Sequence, residues 1–201
     1  MYCILVAGVP ASGKSTMAAY LAERLGVPVI SKDGIKETLY DTIGFGSRAE
    51  KVRLGEAAME IMYGFAAQCL THGLPVILEN NFEYASRGGL QALLDRCACP
   101  VLTVMMTGDW EAVYARFARR NQSPQRHRGH VVNDRYPEEP GRVGVAPTMP
   151  LEAFVHGFRA RGMDRPPVRG ACIHVDATDL SRVDREEVLE LVRFWIERVS
   201  A

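Results

Sequence analysis

Short apolar runs alternate with longer stretches of helical periodicity along this chain, starting with Cys3-Ile4-Leu5-Val6-Ala7. Five such runs, over 2–7, 28–31, 75–79, 100–106 and 171–175, are predicted strands. They lie between helical stretches and long alternating hairpins are absent, which predicts a parallel α/β sheet. After the first run, Met17, Ala18, Leu21, Ala22 and Leu25 fall on one helical face. A second helix opens at Ser47 with Glu50 three residues on, a capping box, and closes at His72-Gly73. Another begins near Asp109 and carries Trp110, Val113, Tyr114 and Phe117 on one face, read as core anchors ahead of an adenine box. The last begins at Asp184 and shows Val188, Leu191, Val192, Trp195 and Val199 at helical spacing.

One segment breaks the rhythm. From Tyr136 to Gly170 prolines stand at 137, 140, 147, 150, 166 and 167, with a short helix expected around 151–161. A stretch of that length with little regular structure is a lid, a binding loop or a disordered insert. The 201 residues suit one domain over 1–201, and 47% hydrophobic content supplies a full core. Basic and acidic residues total 24 each, so no global field favours DNA, RNA or an anionic membrane. No apolar stretch approaches the ~20 residues that span a bilayer. The start lacks a basic region, so no signal peptide is expected. Five cysteines, an odd number with one isolated Cys97-Ala98-Cys99, are expected to be reduced thiols in a cytoplasmic protein.

The first run feeds directly into Gly8-Val9-Pro10-Ala11-Ser12-Gly13-Lys14-Ser15, a GxxxxGKS phosphate loop in a strand-to-helix setting. Its glycines let consecutive N–H groups turn toward phosphate oxygens, and the helix N-terminus adds partial positive charge. Gly8, Pro10, Ala11, Ser12, Gly13, Lys14, Ser15 and Thr16 are the candidate nucleotide-binding residues. Lys14 is expected to reach the β- and γ-phosphates, and the Ser15 hydroxyl to ligate Mg²⁺. The second run ends in Ser31-Lys32-Asp33, placing Asp33 at the carboxyl edge of the sheet, where such sheets bind ligands. A carboxylate there accepts the proton of an attacking hydroxyl, caps a helix starting at Gly34, or does both. The third run ends in Glu79, where a Walker B strand carries a carboxylate that holds Mg²⁺ directly or through water; aspartate is usual there. Asn80 and Asn81 follow, as substrate contacts or as turn formers. Finally, arginines at 116, 119, 120, 126 and 128 stand in a segment without an acid. Such a run asks for anions and is read as a triphosphate clamp, with Arg128 assigned to the substrate.

These segments, GVPASGKST, ISKDGIKETLYDTIGF, PVILENNF and the arginine run ending SPQRHRGH, resemble the nucleoside-monophosphate-kinase-like P-loop kinases. That group includes chloramphenicol phosphotransferase, zeta-toxin kinases, shikimate and gluconate kinases and polynucleotide kinase; the likeness is to its bacterial branch labelled as AAA-family ATPases. The resemblance implies a P-loop NTPase three-layer sandwich with a parallel five-stranded sheet of order 2-3-1-4-5, under a mobile arginine-rich lid over about 116–170. It implies that Asp33 orients or deprotonates the acceptor, and that Arg116, Arg119, Arg120 and Arg126 meet phosphates or adenine. The combined expectation is an ATP- and Mg²⁺-dependent phosphotransferase acting on a hydroxyl of a small molecule, an antibiotic, nucleoside or sugar derivative. Its catalytic residues are Asp33, Lys14, Arg116 and Arg120. Two other readings stay open: a 5′-hydroxyl polynucleotide kinase, which the formal neutrality disfavours, and an ATP-hydrolysing switch acting on a protein partner.

Overall fold

Five strands lie where the apolar runs are: β1 (Cys3–Gly8), β2 (Val29–Ser31), β3 (Val76–Glu79), β4 (Val101–Thr107) and β5 (Ala171–Asp176). The structure, a computed structural model, describes residues 1–139, 141 and 149–200. Every strand pair is parallel and the order is β2-β3-β1-β4-β5, as the resemblance implies. Between and after the strands run α1 (Lys14–Leu25), α2 (Lys32–Ile43), α3 (Arg48–Thr71) and α4 (Tyr84–Cys97). They are followed by α5 (Trp110–Gln122), α6 (Arg128–Val131), α7 (Leu151–Ala160) and α8 (Arg185–Ser200).

β1 is buried at every position, because helices cover both faces of the sheet. Its side chains alternate between two cores. Cys3, Leu5 and Ala7 join Met62, Ala66 and Leu70 of α3 and Leu90, Leu93 and Leu94 of α4. Ile4 and Val6 join Met17, Ala18 and Leu21 of α1 and Val188, Leu189 and Val192 of α8. Truncating one of these, as in Leu5→Ala, costs about 2–5 kcal/mol through lost burial and the cavity left behind. The Asp109 helix bears its aromatics as core: Trp110, Tyr114 and Phe117 surround Phe154 of α7 at ring-centroid distances of 6.1, 5.4 and 5.0 Å. All five cysteines are free thiols.

Helix ends and faces follow the expected chemistry, with exceptions. Ser47 Oγ accepts from the Glu50 N–H (3.2 Å), but Glu50 Oε2 reaches back to Gly46 N (2.7 Å), one residue earlier than in a standard capping box. On α8, Leu189 is buried and Leu191 is 45% exposed, because residues 188, 189 and 192 form the stripe that meets α1. α4 had no sequence signal: Glu83 makes no capping bond, Gly88 and Gly89 interrupt it, and only Leu90, Leu93 and Leu94 are buried. Of the proline-rich insert, Pro140 and residues 142–148, including Pro147, lie outside the described residues.

Candidate functional site

The phosphate loop connects β1 to α1 with a backbone that demands its glycines. Gly8 has φ +136°, and a Cβ there would drive into the Met106 carbonyl of the neighbouring strand. Ala11 and Gly13 are also left-handed, at φ 63° and 86°. α1 therefore begins at Lys14, with Ser15 and Thr16 exposed in its first turn, where helix N–H groups lack intrahelical partners. The Ser12 hydroxyl is buried and finds no hydrogen-bond partner. Lys14 is 7% exposed and its Nζ donates to Val9 O across the loop (2.8 Å). Burial lowers its pKa to about 8, against the pull of Glu79 and Asp33.

Glu79 ends β3 in register with Val6 of β1 and Ser31 of β2. It is buried, and its Oε2 accepts the Ser31 hydroxyl proton (2.6 Å). Ser31 Oγ also accepts from Gly34 N (3.4 Å), which makes Ser31 the N-cap of a helix that starts at Lys32. The capping alternative for Asp33 is thereby corrected: Asp33 sits inside the first turn, and a cap is supplied two residues earlier. Burial would raise the Asp33 carboxyl, but the charges of Lys36, Arg126 and Lys14 outweigh it and hold it below its ordinary value. It is ionised at neutral pH.

The arginines separate. Arg120 and Arg126 converge on Lys14 and Asp33, and the Nε atom of each is buried without a partner among the described residues. Burial, then the nearby Arg126, brings the Arg120 pKa down to about 10. Arg116 is not part of that gathering. Its Nε donates to Ala11 O (3.0 Å), Nη1 to Thr178 O (2.7 Å) and Nη2 to Ala177 O (2.5 Å), tying the phosphate loop to the end of β5. The expected phosphate contact for Arg116 is replaced by this backbone tie. Arg119 is exposed on the outer side of α5. Arg128, expected on the substrate, forms a two-pronged pair with Glu138 (2.7 and 2.8 Å). Asn80 is buried against Met59 Sδ (3.7 Å) with its N–H on Val6 O, while Asn81 is half-buried in the turn before left-handed Phe82.

The sequence profile of the AAA domain family matches residues 3–135, well over half of the chain. The chain belongs to that family. A Chloroflexus aurantiacus protein provisionally described as a kinase is 28% identical, with a TM-score of 0.78 over 96% of both chains. The AAA-domain fold here also resembles a shikimate kinase from Bacteroides thetaiotaomicron, at 14% identity and TM-score 0.56 over 98% of each chain. A gluconokinase from Sinorhizobium meliloti gives 17% and 0.52, over 96% of this chain and 97% of its own. No curated protein matches the chain. The fold is therefore that of P-loop kinases.

Around the AAA-domain phosphate loop the structure adds residues that carried no motif. Lys36, Glu37 and Tyr40 share the Asp33 face of α2, a helical spacing that could have been read. His130 Nε2 contacts Glu37 Oε1 (2.7 Å), and burial drives its imidazole pKa far down, so it is neutral and donates. Lys51, on α3, is 4% exposed and donates to the carbonyls of His130 (3.3 Å) and Val132 and to Asn133 Oδ1 (3.1 Å). Nothing in sequence marks it. Among the described residues no helix is long and apolar enough to cross a membrane, and no three His, Cys, Asp or Glu side chains gather as a metal cage.

Proposed function

We propose that this protein is an ATP- and Mg²⁺-dependent kinase that moves the γ-phosphoryl group to a hydroxyl of a small molecule. The observation that carries the reading is Asp33, ionised and relieved of capping, set beside the buried phosphate-loop Lys14. The loop fits a triphosphate: the Ser12 hydroxyl and the Arg120 Nε are buried polar atoms without partners among the described residues, which costs about 1–3 kcal/mol each unless a ligand meets them. Lys14 and the loop amides would hold the β- and γ-phosphates, and Arg120 would meet charge spread over the moving group. Ser15 and Glu79 supply the hard oxygen donors that suit Mg²⁺, directly or through water. A bound Mg²⁺ supplies neutralisation of phosphate charge.

Asp33 orients the acceptor hydroxyl and takes its proton as the new oxygen–phosphorus bond forms and the bond to the departing ADP oxygen breaks. A carboxylate of low pKa is a weak base, which suits a loose transition state in which the proton moves late. The kinase neighbours support this chemistry, and sugar derivatives, nucleosides and antibiotics are the acceptor classes to test. The experiment is a small-molecule library incubated with Mg-ATP, read as acceptor-dependent ADP and as a product heavier by one phosphoryl group. Hydrolysis that no acceptor accelerates, and that survives Asp33→Asn, would instead indicate a nucleotide switch.

A further inference from the structure

α2 presents Asp33, Lys36, Glu37 and Tyr40 along one face, and the segment from Arg126 to His130 crosses that face. The His127 and His130 rings lie 6.0 and 5.9 Å from the Tyr40 ring, and Gly129 sits so close that a Cβ would collide with it. Tyr40 is fully buried, yet its hydroxyl has no hydrogen-bond partner among the described residues. Burial, then the Asp33 charge, raises the pKa of that hydroxyl, so it stays a donor. The Arg126 Nε is likewise buried and unpartnered. Lys36 Nζ stands 5.5 Å from the Tyr40 ring centroid and makes no hydrogen bond or ion pair among the described residues.

Of the local carboxylates, Asp33 faces these cations, while Glu37 and Asp41 are engaged by other partners. Glu37 accepts from His130, while Asp41 meets His127 Nε2 (3.0 Å) and accepts from the Tyr136 hydroxyl (2.7 Å). Lys36 and Arg126 have the Asp33 charge nearby, yet among the described residues neither they nor Arg48 forms an ion pair, Arg48 donating to Asn133 Oδ1 (3.0 Å). An uncharged alcohol would leave the buried Tyr40 hydroxyl and Arg126 Nε to compete for neutral oxygens, and Asp33 as the one carboxylate facing several cations. A group with several anionic oxygens would satisfy them together, since guanidinium and ammonium donors bind such oxygens about twice as strongly as neutral ones. Lys36 and Tyr40 stand one and two turns beyond Asp33, so a group held there belongs to the molecule whose hydroxyl Asp33 receives.

We propose that Lys36, Tyr40 and Arg126 form a subsite for an anionic group, a carboxylate or a phosphate, on the acceptor itself. The inference rests on the kinase reading and narrows it to hydroxy acids or phosphorylated polyols. The test loads the protein with Mg²⁺ and a non-hydrolysable ATP analogue, then titrates it calorimetrically with sorbitol, gluconate and sorbitol 6-phosphate. These share an open carbon chain and differ at one end. Saturable binding of at least one anion and none of sorbitol is expected, and the anion that binds identifies the group. Lys36→Met and the isosteric Tyr40→Phe should each weaken that binding at least tenfold, with analogue binding retained as the sign of an intact fold. Sorbitol binding as well as the anions, neither anion binding, or anion affinity indifferent to both variants would overturn the subsite and leave the kinase reading standing. Failure of the ATP analogue to bind in the first step would overturn both.

Discussion

At Lys14, burial and function pull in opposite directions. Its ammonium is 7% exposed and its pKa is pressed to about 8, with only Glu79 and Asp33 resisting. A triphosphate on Nζ favours the charged form, so above that pH binding must take up a proton. Affinity for Mg-ATP analogue should be flat below pH about 8 and fall by up to about tenfold per unit above it. Calorimetry in two buffers of different ionisation enthalpy reads the proton; none taken up on the alkaline side would place the phosphates away from Lys14. Without nucleotide the linkage runs the other way in sign. The unfolded chain keeps a lysine proton up to pH ~10.4, whereas folded Lys14 loses it near 8. This group therefore adds stability as pH rises between those values and none below them. Lys14→Ala should weaken analogue binding and nearly abolish turnover. For Asp33→Asn the fold should survive, because Ser31 and not Asp33 caps α2. Phosphoryl transfer to a confirmed acceptor should drop ~10²–10⁴-fold with analogue affinity little changed; a wild-type rate would remove Asp33 from the mechanism.

At the scale of elements, the stretch from His127 to Tyr136 is held down on α2 and α3. Phe45 and Tyr136 exchange backbone hydrogen bonds (2.7 and 2.8 Å), and Tyr40, Phe45, Val132, Leu54 and Tyr136 pack as a small core. Lys51 spends its ammonium protons on two carbonyls and Asn133 of this stretch. Lys51→Met keeps the apolar stem and removes the bonds, leaving buried carbonyls unmet at about 1–3 kcal/mol. Hydrogen exchange over 127–136 should accelerate and the melting temperature should fall. Unchanged protection would assign the docking to the aromatic contacts alone. Burial lowers the Lys51 pKa to about 7, so the wild type should gain stability from this group between there and ~10.4, a slope missing in the methionine variant. The connection from Arg120 to Arg126 joins two arginines whose Nε atoms are buried without partners among the described residues, and it should gain exchange protection with Mg-ATP. Identical exchange with and without nucleotide would argue against closure over the phosphates.

Across the whole molecule, β1 supplies side chains to both large cores, so neither face of the sheet can open without exposing the other's strand. Trp110 lies in the α5–α7 cluster and Trp195 beside the α8 cluster. Tryptophan fluorescence and far-ultraviolet circular dichroism should therefore report one coincident unfolding transition. Two separated transitions would divide the chain into more than one folding unit.

The phosphate loop, the strand runs and the carboxylates at 33 and 79 were legible because each is local. A turn that needs glycine, a strand buried on both faces and a helix cap all write their demands within a few residues. α4 was not legible, since its stability comes from three leucines meeting α3 and the sheet, with no cap or strong periodicity of its own. The arginines show the boundary most plainly. Arg116 and Arg120 are four residues apart on one helix, and sequence treats them alike. One meets the carbonyls of Ala11, Ala177 and Thr178, while the other turns toward Lys14 and Asp33. Sequence alone determined the sheet and the phosphate loop. Only tertiary structure decided which cations are spent on backbone, as Arg116 is, and which, like Arg120, Arg126 and Lys36, are not. That depends on what the fold brings within hydrogen-bonding reach, a property of distance in space that spacing along the chain does not carry.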